Sequence, residues 1–480
     1  MNIVHAASEL FPFMKTGGLA DAVGGLTKAL AAAGHEVAVF LPGYRAALEH
    51  PDADTAERVH RLQIEMGGRY LHADLLRVQV APGYTVYFVK RDEYFDRSGA
   101  YGTGDRDYDD NAERFIFFSK AVAEAMRLAD LKADIVHAHD WQTALLPVYV
   151  RLAEERHDTS LAVKTVFTVH NLAFQGVFPM DTFRLTGLPE EFCSVDGLEF
   201  FGQLNLMKAG LLFGDRVTTV SPSYAREIQT PEFGCGLEGV IATRTADLVG
   251  MLNGIDDSIW NPSVDPLLPA RYTADELLGK TKCRRALLKK CGFDPDTKAP
   301  IFGMICRLTE QKGLDLLLSA RRFFETEECR LIVVGMGRNH YEEALKELAQ
   351  ANPQRIALAR VLDEPMTHLV EAGADFFLMP SIFEPCGLNQ MYSQRYGTIP
   401  LCSRVGGLVD TVVDAEENAE EGTGLLFTPS DQGISWALQR ALLLYRQPEK
   451  MREMADRGMR RDFGWATAAR RYEQLYNDEI

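Results

Sequence analysis

Several short stretches of the chain put chemically competent side chains directly after an apolar run. In KTGGLAD, Lys15 supplies a point charge. Gly17 and Gly18 let backbone lie close to a ligand and lead into a helix whose first N–H groups can face an anion. In RLTEQKG, Arg307 and Lys312 flank a turn, so both side chains can converge on one pair of phosphates. Arginine can grip two oxygens at once, and lysine adds a second positive charge. In PSIFEPCGLNQ, the Glu384 carboxylate can accept from sugar hydroxyls, and Cys386, Gly387 and Leu388 open a helix with free N–H groups. RVGGLVDT carries Gly406 and Gly407 on a further glycine turn. HAHDWQTAL and FTVHNLAFQG supply His139, Asp140, His170 and Asn171.

Each stretch also has a plain structural reading: a strand-to-helix glycine turn, solvated cations, a surface glutamate, a satisfied histidine. KTGGLAD is neither the GxGxxG dinucleotide fingerprint nor the GxxxxGK[ST] phosphate loop. No GxSxG elbow supports a serine triad, and no HExxH or similar spacing supports a metal site. Cys386 has no nearby histidine in the sequence to activate it as a nucleophile. Taken together, the cations, glycine turns and carboxylates describe a site for a diphosphate joined to a polyhydroxylated group. Arginine and lysine there can stand in for the metal that often neutralises a leaving diphosphate.

The elements that must hold these residues alternate as strand, glycine-bearing loop and helix. NIVHAA, EVAVFLP, DIVHAHD, KTVFTVH and RVTTVS are continuous apolar runs, the pattern of parallel strands buried on both faces. Helices are expected over 111–129, 141–155 and 203–213. The stretch 253–273, rich in Asn, Asp and Pro, reads as a linker. The cycle then restarts with IFGMIC, CRLIVVG, RIALAR, DFFLMPS, IPLCS and GLLF. The expected fold is α/β, with two Rossmann-like domains facing a deep cleft and ligands at the carboxyl ends of the strands. The expected division is 1–250, 251–455 and a terminal helix over 456–480.

The chain has 480 residues, too many for one core, and a formal net charge of −17. That charge and the lack of a basic cluster argue against nucleic acid as a partner. No apolar run is long enough for a membrane helix, and the start of the chain reads as a first strand, so a cytoplasmic location is expected. The eight cysteines show no metal-like spacing, and Cys306, Cys329 and Cys402 read as reduced thiols in apolar strands.

KTGGLAD, HAHDWQ, FTVHNLAFQG, RLTEQKG and FEPCGL, in this order along the whole chain, resemble the signatures of bacterial glycogen synthases, close kin of plant starch synthases. GLEFFGQLNLMKAGL, TTVSPSYAREIQTPEFGCGLEG and LNGIDDSIWNP fit as well. The resemblance implies the two-domain B-type glycosyltransferase fold (GT-B), with the terminal helix crossing back to the first domain. It implies transfer of glucose from ADP-glucose to the 4-hydroxyl at the non-reducing end of an α-1,4-glucan such as glycogen, with retention and without a metal or other cofactor. By motif position it assigns Arg307 and Lys312 to the diphosphate, Glu384 to glucose hydroxyls, and Asp140 and His170 to the sugar pocket. Lys15, Gly17, Gly18, Asn253, Cys386, Gly387, Leu388, Gly406 and Gly407 would complete the donor site. Leu362 stands where relatives often carry a tyrosine that stacks on adenine, so UDP-glucose is the alternative donor. Asn389 stands where threonine is common after FEPCGL. Other readings are a non-catalytic sugar-nucleotide or glucan-binding protein, a pyridoxal-dependent glucan phosphorylase, and a transferase making sucrose or trehalose phosphate.

Overall fold

A computed structural model describes residues 1–104, 106–129, 131–155, 163–360 and 363–478. The chain forms two compact units. The first takes Met1–Gly254 and returns for the segment from Trp465, and the second is Ile255–Gly464.

Among the described residues the main sheet of the first unit has nine strands: β1 (Asn2–Ala6), β2 (Glu36–Pro42), β3 (Glu57–Met66), β4 (Arg69–Ala81), β5 (Tyr84–Lys90), β6 (Ile135–His139), β7 (Lys164–Val169), β8 (Arg216–Thr219) and β9 (Leu248–Gly250). Their order is β9-β8-β7-β6-β1-β2-β5-β4-β3. From β9 through β2 to β5 every pairing is parallel. The central strands are buried along their length, as β6 shows with all of IVHAH inside. β5, β4 and β3 continue the sheet antiparallel. The β3–β4 hairpin has no counterpart among the expected strands: its burial alternates and its exposed face is polar, so it carries no continuous apolar run.

The main helices of this unit are α1 (Gly18–Ala32), α2 (Asn111–Leu128), α3 (Leu146–Glu155) and α4 (Leu206–Phe213). α1 buries Leu19, Val23, Leu26 and Leu30, one stripe at helical spacing. α3 starts five residues later than the sequence suggests, because Asp140 adopts a left-handed conformation (φ 57°) and Trp141 to Ala144 turn before the helix begins. α4 likewise starts at Leu206. Gln203–Asn205 is a short strand, and the Asn205 side chain accepts from the Lys208 N–H to cap the helix.

Among the described residues the second unit has six strands, β10 (Ile301–Ile305), β11 (Arg330–Val334), β12 (Ile356–Ala359), β13 (Phe376–Met379), β14 (Ile399–Ser403) and β15 (Leu425–Phe427). All are parallel, in the order β12-β11-β10-β13-β14-β15. This is the doubly wound arrangement, with the order reversing between β10 and β13. Helices α5 (Glu364–Gly373), α6 (Asn389–Arg395), α7 (Gly406–Thr411) and α8 (Pro448–Met459) belong to this unit. The stretch read as a linker is packed rather than loose. Trp260 stacks on His368 and Tyr392 at centroid distances of 4.0 and 3.7 Å. Asp265 accepts from His368 Nδ1 at 2.7 Å and from the Tyr396 hydroxyl at 2.6 Å.

The last helix, α9 (Trp465–Asp478), packs in the first unit. A Cβ at Gly25 of α1 would lie 1.9 Å from the Trp465 indole nitrogen, so the close crossing of the two helices needs glycine there. Tyr476 reaches into the sheet and bonds His137 Nδ1 at 2.7 Å, and Glu473 pairs with His35 at 2.7 Å.

Candidate functional site

In the second unit the sequence-selected residues gather at neighbouring strand ends. Arg307 and Lys312 follow β10, Glu384 and Cys386 to Leu388 follow β13, and Gly406 and Gly407 follow β14. β10 and β13 flank the point where the strand order reverses, the position at which open α/β sheets bind ligands. Lys312 Nζ lies 2.6 Å from Glu384 Oε2, and the Ser381 hydroxyl donates to the same oxygen at 2.9 Å. The Glu384 side chain is only 6% exposed, so these partners rather than bulk water satisfy its oxygens. The two residues form one preorganised pair rather than two separate contacts. Arg307 is exposed, and among the described residues its guanidinium has no ion-pair partner.

The loops holding this pair are tied together. Gly313 (φ 68°) lets the turn after Lys312 press on Pro380, where a Cβ would come within 1.7 Å of the Pro380 carbonyl oxygen. The Ile382 N–H donates to the Gln311 carbonyl at 2.9 Å, and the Gly407 N–H donates to the Glu384 carbonyl at 3.0 Å. Gly387 (φ 72°) turns the chain into α6, for which Leu388 is the capping residue. The Gln390 amide clamps that turn through the carbonyls of Cys386 and Gly387. Asn389 donates to the Ile305 carbonyl at 3.1 Å, fixing the start of α6 to the end of β10. Cys386 is buried, consistent with a packing thiol. Cys306, just past β10, is pushed up to about 12 by burial and is no thiolate at neutral pH.

In the first unit Lys15, Gly17 and Gly18 follow β1, Asp140 follows β6 and His170 follows β7. These three strands are neighbours, and β1 and β6 flank the reversal of order in this sheet. Asp140 Oδ1 accepts from the His170 N–H at 2.7 Å. Burial pushes the Asp140 carboxyl up to about 7, against the opposing pull of the His170 and Asn171 N–H groups. Asn253 lies just before the chain leaves this unit and is half-buried.

One expectation about the KTGG loop is corrected. Its backbone is not wholly bare, because the carboxylate of buried Glu9 accepts from the N–H groups of Thr16 (2.6 Å) and Gly17 (3.1 Å) and from the Thr16 hydroxyl (2.7 Å). Tyr101 donates to the same carboxylate at 2.8 Å. Lys15, 48% exposed, pairs with Asp21 at 2.8 Å. A Cβ at Gly17 or Gly18 would meet no atom of the chain within 4 Å, so packing does not demand glycine at either position. Glu9, Tyr101 and Ser381 were not selected from the sequence. The available signal was a charged residue inside the apolar run that follows β1, where an unpaired carboxylate would be costly.

The histidines of β1, β6 and the loop after β7 pack as a group. The rings of His137 and His139 stack at 4.1 Å and those of His5 and His139 at 5.3 Å. Nitrogens of His5, His137 and His139 lie within 4.8 Å of one another. Both His137 nitrogens are engaged, with Tyr476 and with Thr168 Oγ1, which reads as a hydrogen-bonded stack rather than a ligand set. Leu362 lies outside the described residues.

Residues 2–243 match the family described as the starch synthase catalytic domain, and residues 291–458 match glycosyl transferases group 1. A glycogen synthase of Opitutus terrae is 59% identical over 480 residues, covering all of both chains. Glycogen synthase 1 of Methylococcus capsulatus is 44% identical, covering 100% of this chain and 97% of its own. The catalytic domain of starch synthase IV from Arabidopsis thaliana, solved bound to ADP and acarbose, superposes with a TM-score of 0.90 at 33% identity, covering 99% of this chain and 98% of that one. A sucrose-phosphate synthase from Thermosynechococcus elongatus, 18% identical with a TM-score of 0.60, shares the fold. With two Rossmann-like units of GT-B type and full-length likeness to these enzymes, the chain belongs to the glycogen synthase family, the glycosyltransferases that elongate α-1,4-glucans.

Proposed function

We propose that the chain transfers glucose from ADP-glucose to the 4-hydroxyl at the non-reducing end of an α-1,4-glucan, retaining the anomeric configuration and using no metal. The observation that carries this is the Lys312–Glu384 pair, its carboxylate buried, on the loops after the two strands at the order reversal of the second unit, with Arg307 on the same loop as Lys312. Arg307 and Lys312 bind the diphosphate and stabilise its charge as the glycosidic bond breaks, taking the part a metal plays elsewhere. Glu384, held by Lys312 and Ser381, accepts from glucose hydroxyls. Lys15 and the Gly17–Gly18 backbone contact the donor, and Asp140 and His170 line the sugar pocket. Asn253, Cys386, Gly387, Leu388, Gly406 and Gly407 shape the donor site. The ADP named with the Arabidopsis enzyme supports an adenine donor, and the acarbose a glucan-like acceptor. Leu362 favours UDP-glucose as the second reading, because leucine offers adenine no stacking face.

Retention in this scheme follows a front-face course in which the leaving phosphate helps deprotonate the acceptor hydroxyl. A covalent glucosyl adduct on Asp140 or Glu384 would rule that out. The enzyme works in the cytoplasm; no helix among the described residues is long and apolar enough to cross a membrane. Arg307→Ala tests the donor role cleanly, since Arg307 is exposed and supports no packing. Its kcat falls by roughly 10²-fold, as for loss of one charge-stabilising donor, with the unfolding midpoint unchanged. A kcat within about threefold of the parent removes Arg307 from the mechanism.

A further inference from the structure

Three imidazoles form a continuous chain from the middle of the first sheet to its ligand-binding edge. His5 Nδ1 lies 3.0 Å from His139 Nε2, and His139 Nδ1 lies 3.0 Å from His170 Nε2. His5 and His139 are fully buried and His170 is half-buried. The far end of the chain is His5 Nε2, a buried nitrogen with no hydrogen-bond partner among the described residues. His137 stacks on His139 and lies tilted against His5 but does not enter the chain, because its nitrogens are taken by Tyr476 and Thr168.

Burial pushes His5 and His170 down to about 3 and His139 well below the usual range, so all three rings are neutral at pH 7. A neutral imidazole has one donor and one acceptor, so only two arrangements satisfy both internal bonds. In one, His5 donates through Nδ1 to His139, which donates through Nδ1 to His170 Nε2. The orphan at the buried end is then a lone pair. In the other, every bond is reversed, and the orphan is a buried N–H. Buried N–H groups without a partner are rarer than unpaired acceptors, which selects the first arrangement.

We propose that His5 and His139 are positioning residues that fix His170 as its Nδ1–H tautomer, so that His170 offers a neutral hydrogen-bond donor to an oxygen of the bound sugar or phosphate. This rests on the placement of His170 at the donor sugar proposed above. It adds which atom of His170 acts and with what polarity.

The test is a long-range ¹H–¹⁵N correlation on the full chain with ¹⁵N-labelled histidine. The expected result is the Nδ1–H pattern for His5, His139 and His170, and an Nε2–H pattern for His170 overturns the proposal. This spectrum is independent of activity, so it stands even where the sugar-binding role of His170 fails. Two variants then link the tautomer to turnover. In His139→Asn the amide nitrogen stands near the former Nδ1 and can still donate to His170. In His139→Asp, assayed above the pH at which the buried carboxyl ionises, the carboxylate can only accept, which forces the proton of His170 onto Nε2. His139→Asn keeps kcat within about threefold, whereas His139→Asp loses about tenfold or more, the worth of one hydrogen bond, with the KM for glycogen unchanged. Equal kcat in two folded variants, judged by matching unfolding midpoints, contradicts the proposal. Where His139→Asp does not fold, the spectrum of the parent protein decides.

Discussion

Asp140 carries two marks of a residue held for function. It is a non-glycine residue with φ of 57°, and burial pushes its carboxyl up to about 7 from an ordinary 3.8. Two consequences follow with opposite signs. Between pH 3.8 and about 7 the folded chain holds a proton that the unfolded chain has released, so the contribution of this group to stability falls as pH rises through that window. The ionised carboxylate is the stronger acceptor for a sugar hydroxyl, so kcat/KM rises with pH through about 7. Glu9 is the like charge that adds to the upward shift. In Asp140→Asn the rising limb flattens; a limb that persists in the variant assigns the titration elsewhere. Much of the residue-level site was legible because cations after apolar strands are conspicuous in sequence. Glu9 was not, since its partners are backbone N–H groups of the next loop, and a hydrogen bond to backbone leaves no pairing of residue types to read.

At the scale of elements, the parallel strands were legible wherever both faces are buried, as in IVHAH and IFGMI. The alternating β3–β4 hairpin was not, because half of each strand faces water. Helix starts at 146 and 206 were missed for local reasons: a left-handed Asp140 in one case and an asparagine cap in the other. Both sheets present their candidate residues beside a reversal of strand order, and in the second unit the junction is locked by Gly313. An alanine there brings its Cβ to 1.7 Å from the Pro380 carbonyl oxygen and also strains the left-handed backbone. Gly313→Ala therefore lowers stability by about 2 kcal/mol or more, and kcat falls with it because Lys312 is the preceding residue. A denaturation midpoint equal to the parent's contradicts the locking role of this glycine.

At the scale of the molecule, two doubly wound units of one chain each bring a charged or polar set to a switch point, and α9 is anchored in the first unit through Trp465, Glu473 and Tyr476. α8 stays with the second unit because Met454, Gly458 and Met459 are buried there, so the chain crosses back only at Trp465. A charge of −17 does not hinder a neutral glucan, while an anionic donor has to be met by local cations, the part proposed above for Arg307 and Lys312. Metal-free transfer of glucose from ADP-glucose to a glucan can be measured by following labelled glucose into glycogen from ADP-glucose and UDP-glucose side by side, with EDTA present. The expected result is EDTA-resistant incorporation from ADP-glucose, with UDP-glucose much slower. Faster use of UDP-glucose would contradict the donor assignment, and no incorporation from either donor would contradict the reaction itself.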